Sequence, residues 1–441
     1  MKKVFVNCCA LLLMTFISCQ KETINTEGTE TVKESEITQK GDGSASNAEV
    51  GNELVILYPD GTTEAEKILK RAEYNIEEFK KCECADPNLE LWVFSKREAG
   101  GGGLEDKRAT AKSDEEIEGA EFNPNIKISE TMFVDFAGIG SPSDGIAKRV
   151  ASNQGVTVAV LDTGIMYDYE GFTTPFLYNS DQNGCNDNGY TELFGWNFVD
   201  ENNNPYDNHQ GRHGTIVTQL IASKFEAANV NYQILPVKVA SETGNIRYFD
   251  ALCGFQFAAN KPDVDIINMS FGWYHHEREL LEKFIIDVED RILVVTSAGN
   301  KGTNNDMTTH YPSSYEVDNI LAIAGLGSGG TPSNTPSSYY DAVVLNPNGS
   351  SSNSNSGLAS FSNRGTMSVD IAAPSEQIPF IYNNETFYVD GTSYSAALTS
   401  GYSGTLHLNG MTGIALRAKV LENSVYNANL SEIQYSSHIP D

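Results

Sequence analysis

The chain is poor in basic residues relative to acidic ones. Of its 441 residues, 30 are Lys or Arg and 59 are Asp or Glu, which gives a formal net charge of -29 at pH 7. This charge opposes binding to phosphate backbones and to anionic membrane surfaces. We therefore expect no nucleic-acid partner, and contact with a membrane only through an attached lipid. The hydrophobic content of 40% and the length are sufficient for a large buried core.

Cysteine is also scarce, since the chain contains only seven. Three lie within the first 19 residues, and the other four are Cys82, Cys84, Cys185 and Cys253. Four scattered cysteines in so long a chain do not predict a disulfide framework. Cys82-x-Cys84 lacks the two-residue spacer and the partner pair of a zinc site, so we predict no metal site there.

No apolar run near the start of the chain is long enough for a transmembrane helix. A basic pair precedes the apolar residues 4–17, a layout typical of a secretory signal. The run ends in Ser18-Cys19, which resembles a bacterial lipobox. We expect residues 1–18 to be a lipoprotein signal peptide and Cys19 to carry the lipid. This predicts a cell-envelope location, as an outer-membrane or surface lipoprotein, and the alternative is a secreted protein without an anchor.

The rest of the chain divides by composition. Residues 19–50 contain almost no large apolar side chain and predict a disordered tether. Within residues 51–97, the segments ELVILY, TTEAEKILKRAEYNIEEF and LELWVF predict a strand, a helix capped by threonine, and a second strand. The Gly-rich and charged residues 98–124 predict a flexible, exposed linker. Residues 125–441 alternate apolar strands with helices, which indicates an α/β domain with a mostly parallel central sheet covered on both faces.

Four short motifs in this last domain carry candidate catalytic residues. Asp162 follows the apolar strand VTVAVL, at the end of a strand where open α/β sheets place their sites. His213, in GRHGT, stands at a predicted helix start, where an imidazole can act as a general base. Asn300 ends SAGN and can donate to a developing oxyanion, and Ser393 lies in DGTSYSAAL. Each motif alone is also common turn or helix-cap sequence.

In this order, the four motifs together resemble those of the subtilisin-like serine proteases, the subtilases. VAVLDTGI, HGT and GTSYSAA match the aspartate, histidine and serine motifs of that family. The resemblance implies a three-layer subtilisin-like fold and a serine endopeptidase that works through an acyl-enzyme intermediate. Asp162, His213 and Ser393 would form the catalytic triad, and Asn300 would contribute to the oxyanion hole.

The same resemblance implies further properties. Protein or peptide substrates are expected, the chemistry requires no cofactor, structural calcium is frequent in the family, and we expect a monomer. Residues 51–97 occupy the place of the family's propeptide, a small domain that assists folding and blocks the cleft until it is removed. Lys301 and His310 would lie at the base of the primary pocket, which gives the hypothesis that this pocket accepts acidic side chains. The implied substrate-binding residues are Ser270, Phe271, Gly272, Ser297, Ala298 and Gly299.

Departures from the family pattern leave alternatives open. Tyr394 follows the serine where the family usually has methionine, and Thr218 and Gln219 replace a pair of small residues. A second interpretation is therefore a catalytically weak subtilase-like lipoprotein that binds peptides or surface partners, although the complete set of four motifs argues against it. A third, with a glutamate as base as in sedolisins, conflicts with His213 in HGT.

Overall fold

The computed structural model describes most of the chain beyond the predicted tether. The described residues are 49–82, 84–128, 150–151, 155–172, 175–180, 184–328, 357–382 and 385–440. The predicted signal peptide, the predicted lipidation site Cys19 and all but the last two tether residues lie outside this set. The described part comprises an N-terminal module, residues 49–127, and a main domain, residues 155–440. Within it, no helix combines the length and the apolar composition needed to cross a membrane.

The N-terminal module is a four-stranded antiparallel sheet in the order β4-β1-β3-β2. Two βαβ halves follow one another, which is the ferredoxin-like arrangement. The predicted threonine cap is confirmed, because Thr63 begins the first helix and forms a capping box with Glu66. The elements are β1 Glu49–Leu57, α1 Glu64–Glu73, β2 Glu78–Cys82, β3 Asp86–Val93, α2 Lys96–Ala99, α3 Gly103–Lys112 and β4 Gly119–Lys127.

The structure differs from the linker predicted at 98–124, because these residues form α3 and most of β4. Leu104 and Ala111 of α3 are buried in the module core. The amino-acid pattern of β4 does not predict a strand, because the buried positions of β4 include the polar residues Glu121 and Asn123. The hydroxyl of Tyr248 donates to Glu121 Oε2 (2.7 Å), and the Phe249 N–H donates to Asn123 Oδ1 (2.9 Å). Both partners belong to the main domain, so local sequence could not indicate this strand.

The main domain contains a nine-stranded sheet in the order β19-β20-β16-β15-β13-β11-β5-β9-β8. All neighbouring strands in it are parallel except β19 and β20. Its strands are β5 Val156–Asp162, β8 Trp196–Asn197, β9 Tyr232–Lys238, β11 Ile266–Met269, β13 Leu293–Ser297, β15 Ile320–Leu326, β16 Ile371–Pro374, β19 Val425–Tyr426 and β20 Ser437–His438. The main-domain strands outside this sheet are β6 Asn186–Asp187, β7 Tyr190–Thr191, β10 Asn245–Arg247, β12 Trp273–Tyr274, β14 His310–Tyr311, β17 Ile378–Tyr382 and β18 Glu385–Val389.

Helices cover both faces of this sheet. On β5, Val158 and Val160 enter one core cluster, whereas Ala159 and Leu161 enter another. The first cluster includes α4 and α7 and the second includes α5 and α6, so alternate strand residues face opposite helical layers. The predicted three-layer α/β fold with a mostly parallel sheet is confirmed. The helices are α4 His213–Ala228, α5 Tyr248–Ala259, α6 Glu279–Ile286, α7 Thr392–Leu406 and α8 Gly413–Glu422.

The module and the main domain share one hydrophobic cluster, in addition to the core that belongs to the module alone. Val55 and Leu91 of the module belong to the same buried cluster as Leu252 and Phe255 of α5. Strand β4 also pairs antiparallel with β10 of the main domain. Two disulfides, Cys82–Cys253 and Cys84–Cys185, connect the two parts. The sequence did not predict these bonds, because cysteines 171 and 101 residues apart have no local pattern that pairs them.

Asp250, in the first turn of α5, is a buried carboxylate at this interface. Lys80 Nζ of the module lies 3.5 Å from its Oδ1. Burial raises the pKa of Asp250 from 3.8 to about 6. The positive charges of Lys80 and Arg247 oppose this shift, and the negative charge of Glu201 adds to it.

We expect this raised pKa to make stability depend on pH. Because folded Asp250 holds its proton up to a higher pH than the unfolded chain does, its contribution to stability falls as pH rises from about 4 to about 6. The free energy of unfolding of Asp250→Asn, relative to wild type, should increase over this range by about 3 kcal/mol. Urea unfolding of both proteins between pH 4 and pH 7 measures the difference. The exposed Asp318→Asn is the control, and a difference that does not vary with pH contradicts the prediction.

Candidate active site

Asp162 and His213 meet at the carboxyl edge of the parallel sheet. Asp162 is the last residue of β5, His213 is the first residue of α4, and both are fully buried. His213 Nδ1 lies 2.7 Å from Asp162 Oδ1, which also accepts the Thr163 N–H at 2.7 Å. A carboxylate at this distance favours the tautomer with its proton on Nδ1, which leaves Nε2 as the basic nitrogen.

A glycine makes this close approach possible. A Cβ on Gly214 would lie 2.2 Å from the carbonyl oxygen of Gly164 and 3.1 Å from Asp162 Oδ1. Both distances are shorter than ordinary contacts, so any larger residue would push the start of α4 away from the end of β5. The glycine in HGT therefore has a packing reason that is independent of any resemblance.

Ser393 lies in the first turn of α7 and is 4% exposed. The helix begins after Gly391, whose φ of 151° and ψ of 150° are accessible essentially only to glycine. The Ser393 hydroxyl donates to the carbonyl oxygen of Ser270 (3.0 Å), and the Ser270 hydroxyl donates to the carbonyl oxygen of Ser393 (3.0 Å). In this conformation the hydroxyl proton of Ser393 is directed at the carbonyl oxygen of Ser270.

Asn300 is positioned by Thr392, the residue before Ser393. The backbone N–H and the hydroxyl of Thr392 both donate to Asn300 Oδ1, at 2.9 and 2.8 Å. Because the amide oxygen is fixed in this way, the orientation of the Nδ2 donor is fixed as well. Nδ2 lies 3.6 Å from where a Cβ on Gly391 would be. The sequence motif contained Thr392, but nothing in it indicated this positioning role.

Helices α4 and α7 hold these groups together by close packing. A Cβ on Gly401 of α7 would lie 2.6 Å from the carbonyl oxygen of Ile221, and one on Gly404 would lie 2.2 Å from the ring of Phe225. Tyr394, the residue that departs from the family pattern, is buried with its ring centroid 5.7 Å from that of His213. Ser395, Ala396 and Ala397 are fully buried, as expected for the small residues beneath the serine.

The predicted substrate-binding residues follow the ends of two neighbouring strands. Ser270, Phe271 and Gly272 come directly after β11, and Ser297, Ala298 and Gly299 include the end of β13 and the next two residues. Phe271 is 2% exposed and belongs to the hydrophobic core, so packing alone accounts for its position. The Gly299 N–H donates to the Thr392 hydroxyl at 3.2 Å, which connects this segment to the start of α7.

His310 and Lys301 lie close to these two segments. A Cβ on Gly272 would be 2.4 Å from His310 Cε1, and one on Gly299 would be 3.1 Å from His310 Cδ2. Lys301 Nζ lies 4.1 Å from the centroid of the Tyr274 ring. Burial, with a smaller contribution from Lys301, lowers the pKa of His310 to about 3. Because the imidazole of His310 is therefore neutral, it adds no positive charge near the two segments, and Lys301 does.

Three buried residues lie near the site, and sequence reasoning selected none of them. Asp207 Oδ2 accepts both the N–H and the hydroxyl of Thr215, which fixes the first turn of α4. Lys238 Nζ donates to the carbonyl oxygen of Thr163 at 2.6 Å, next to Asp162. His209 is buried, and burial lowers its pKa to about 4. Their signal in the sequence is weak, because isolated polar residues are usually exposed.

The structural calcium that the resemblance implies stays an expectation. Within the described ranges, no group of three or more His, Cys, Asp or Glu side chains could hold a metal ion. In the acidic stretch 200–207, Asp200 accepts from Asn197 (3.0 Å), and Asp207 is occupied by Thr215.

The chain is similar to known proteins in both sequence and fold. The Peptidase_S8 family model, the Subtilase family, matches residues 153–434. A thermophilic serine proteinase from Bacillus sp. (strain AK1) is 28% identical over 275 residues, which cover 61% of this chain and 56% of that protein. A halolysin-like extracellular serine protease, Nep, from Natrialba magadii is 24% identical over 268 residues, covering 59% and 41%. The chain thus spans about half the length of these relatives.

The fold is similar to that in a solved structure described as a cold adapted subtilisin-like serine proteinase. The alignment covers 67% of this chain and 96% of that chain, at 18% sequence identity and a TM-score of 0.47. The family match is independent of this alignment and extends over more than half of the chain. It begins before Asp162 and ends after Ser393, so it includes every residue of the geometry described above. The chain belongs to the subtilase family.

Proposed function

We propose that this protein is a serine endopeptidase that hydrolyses peptide bonds through an acyl-enzyme intermediate. The observation that carries the proposal is the 2.7 Å contact between buried His213 and Asp162, at the start of a helix packed against the helix that bears Ser393. Ser393 would attack the peptide carbonyl, and His213 would take its proton and later deliver it to the leaving amine. Asp162 would orient the imidazole and stabilise its charged form.

The oxyanion would be stabilised by two donors that are already in place. Asn300 presents an amide that Thr392 holds through its oxygen. The backbone N–H of Ser393 lies in the first turn of α7, where N–H groups have no partner within the helix. Donors that are fixed before the reaction need no reorganisation as negative charge develops, which is the main source of their catalytic effect.

The proposed location is outside the cytoplasm. Two disulfides in a chain of this size are typical of an oxidising compartment. The apolar run and Ser18-Cys19 support export and a lipid anchor, and Nep, one of the relatives, is described as extracellular. We expect Cys19→Ser to move the protein from the membrane fraction to the soluble fraction, while Cys253→Ser leaves it in the membrane fraction. Equal partition of wild type and Cys19→Ser would contradict the anchor.

For substrates, we expect Lys301 to favour an acidic side chain on the residue whose carbonyl Ser393 attacks. An exposed or half-exposed ion pair contributes up to about 1 kcal/mol, which corresponds to about a fivefold preference. Lys301→Glu should reverse this preference in a peptide library read by mass spectrometry. Lys96→Glu, on the surface of the module, makes the same charge change away from the site. A library without cleavage after Asp or Glu would reject the hypothesis.

The test of the proposed function is covalent labelling with a fluorophosphonate, followed by mass spectrometry of the labelled peptide. An activated nucleophile reacts at Ser393, and Ser393→Ala should lose the label while keeping the same unfolding temperature. Ser431→Ala is a control that removes a serine outside the site. A folded wild-type chain that takes no label, both before and after a trace of added protease, would favour the peptide-binding interpretation instead.

A further inference from the structure

The two disulfides cross the boundary between the module and the main domain. Cys82, at the end of β2, pairs with Cys253 of α5, and Cys84 pairs with Cys185. The Cα atoms are 5.6 and 5.5 Å apart, as a disulfide requires. Both bonds link residues before position 128 to residues after position 155. A single cut between these positions therefore leaves the two parts covalently joined.

Strand β4 of the module occupies the edge of β10 in the main domain. In the β4–β10 pair, Ile126 lies opposite Ile246, and the Ile128 N–H donates to the carbonyl oxygen of Gly244 at 3.0 Å. A few residues before β10, the N–H groups of Val239 and Ala240 donate to the carbonyl oxygen of Asp162. An extended peptide that pairs with this edge would have to displace β4, because one strand edge accepts one partner.

We propose that the N-terminal module is a covalently retained partner of the main domain, and that it occupies the β10 edge as long as at least one of the two disulfides is intact. Retention follows from the disulfide connectivity alone, whereas competition with substrate rests on the proposed function. A cut in the connecting chain would not free the edge. The module would rebind within the same molecule at a high effective concentration, which dilution cannot lower.

The noncovalent contacts across the boundary are reversible, so permanent retention of the module after a cut depends on the disulfides. Several are ion pairs with exposed members, such as Lys112–Glu279 at 3.0 Å and Lys283–Glu118 at 3.5 Å. Exposed ion pairs add little to binding and weaken with salt. The shared apolar core holds the parts together more strongly, but only as a reversible association once the chain is cut. The disulfides convert this association into a permanent one.

A dithiol can reduce both disulfides, and we expect one of them to be reduced before the other. Each disulfide accepts two electrons and two protons from a dithiol and gives two cysteine thiols, while the dithiol becomes a disulfide. A cavity of about 350 Å³ at the boundary is lined by Cys82, Cys84 and Cys253. Cys84 and Cys185 are partly exposed, whereas Cys82 and Cys253 are buried. We therefore expect Cys84–Cys185 to be reduced first.

The experiment uses the full chain with a recognition sequence for a sequence-specific protease inserted between residues 128 and 150. Ser393→Ala in this chain prevents any self-processing. After the cut, two quantities are measured with and without dithiothreitol: the mass under non-denaturing conditions and the hydrogen exchange of the Asn245–Arg247 amides. Variants lacking one pair, Cys82→Ser/Cys253→Ser or Cys84→Ser/Cys185→Ser, and a variant lacking both, are treated in the same way.

Without reductant, the cut protein should keep its full mass, and the Asn245–Arg247 amides should stay protected. Reduction of the cut protein, or loss of both cysteine pairs, should separate the parts on dilution and speed exchange of these amides by at least tenfold. Without reductant, each variant that lacks only one pair should stay joined. Separation without reductant overturns the proposal, as does unchanged protection after full reduction. With Ser393 restored, peptidase activity should rise after the cut and reduction. If activity is absent while the mass and exchange results hold, the proposed function fails and retention stands.

Discussion

Asp162→Asn is expected to lower kcat about 10⁴-fold and to leave KM nearly unchanged, which is the loss typical of a triad without its carboxylate. The physical reason lies in the 2.7 Å contact with His213 Nδ1. An asparagine amide at this position can donate to Nδ1 and so favours the tautomer with its proton on Nε2. That tautomer cannot accept the proton of Ser393, so the base is lost although the imidazole stays in place.

Steady-state kinetics on a peptide substrate, after the module has been cut and the disulfides reduced, measure this effect. Asp318→Asn makes the same chemical change at an exposed position and should retain full activity. Thermal unfolding of both variants shows whether the fold is intact. A loss smaller than about tenfold in a folded Asp162→Asn protein would mean that Asp162 does not orient the base.

Asn300→Ala should lower kcat by a factor of about 10² to 10³, again with little change in KM, as expected for one lost oxyanion donor. The donor acts on charge that appears only in the transition state, so substrate binding is hardly affected. Thr392 offers a graded comparison, because its two hydrogen bonds to Asn300 Oδ1 fix the amide. Thr392→Val keeps the backbone bond and loses the hydroxyl bond, so a smaller loss is expected.

Thr392→Ser retains a hydroxyl and should restore most of the activity. A merely structural role for Thr392 would change the unfolding temperature without this dependence of kcat on the hydroxyl. If Asn300→Ala and wild type have equal kcat values, Asn300 does not stabilise the oxyanion, and the two hydrogen bonds from Thr392 serve only the packing of α7.

The sequence predicted the parts of the fold that depend on local pattern. VTVAVL forms β5 because a continuous run of apolar residues suits a strand buried on both faces. The helix after Thr63 was predictable from its capping box. Strand β2 was not, because it is an edge strand with mostly exposed or half-buried residues, and its start was read as the end of the preceding helix.

In the candidate site, too, local motifs were predictable from the sequence and long-range contacts were not. The motifs identified Asp162 and His213 as candidate catalytic residues, but the contact between them depends on the close approach that Gly214 permits. The pairing of Tyr394 with the His213 ring and the support of Thr163 by Lys238 are long-range contacts without a local signal. The disulfides were missed for the same reason, since pairing depends on where the fold brings each cysteine.

The core cluster that runs through both parts has a consequence for expression of the protein. Without the module, the side chains of Leu252, Phe255 and their neighbours in that cluster would lose their apolar covering on one side. A contiguous apolar surface of more than a few hundred Å² usually causes association or precipitation. The cut and reduced main domain is therefore expected to stay in solution only at low protein concentration. A recombinant chain that begins near residue 150, made at the high concentration of an expressing cell, is expected to collect in inclusion bodies unless residues 49–127 are co-expressed as a second polypeptide.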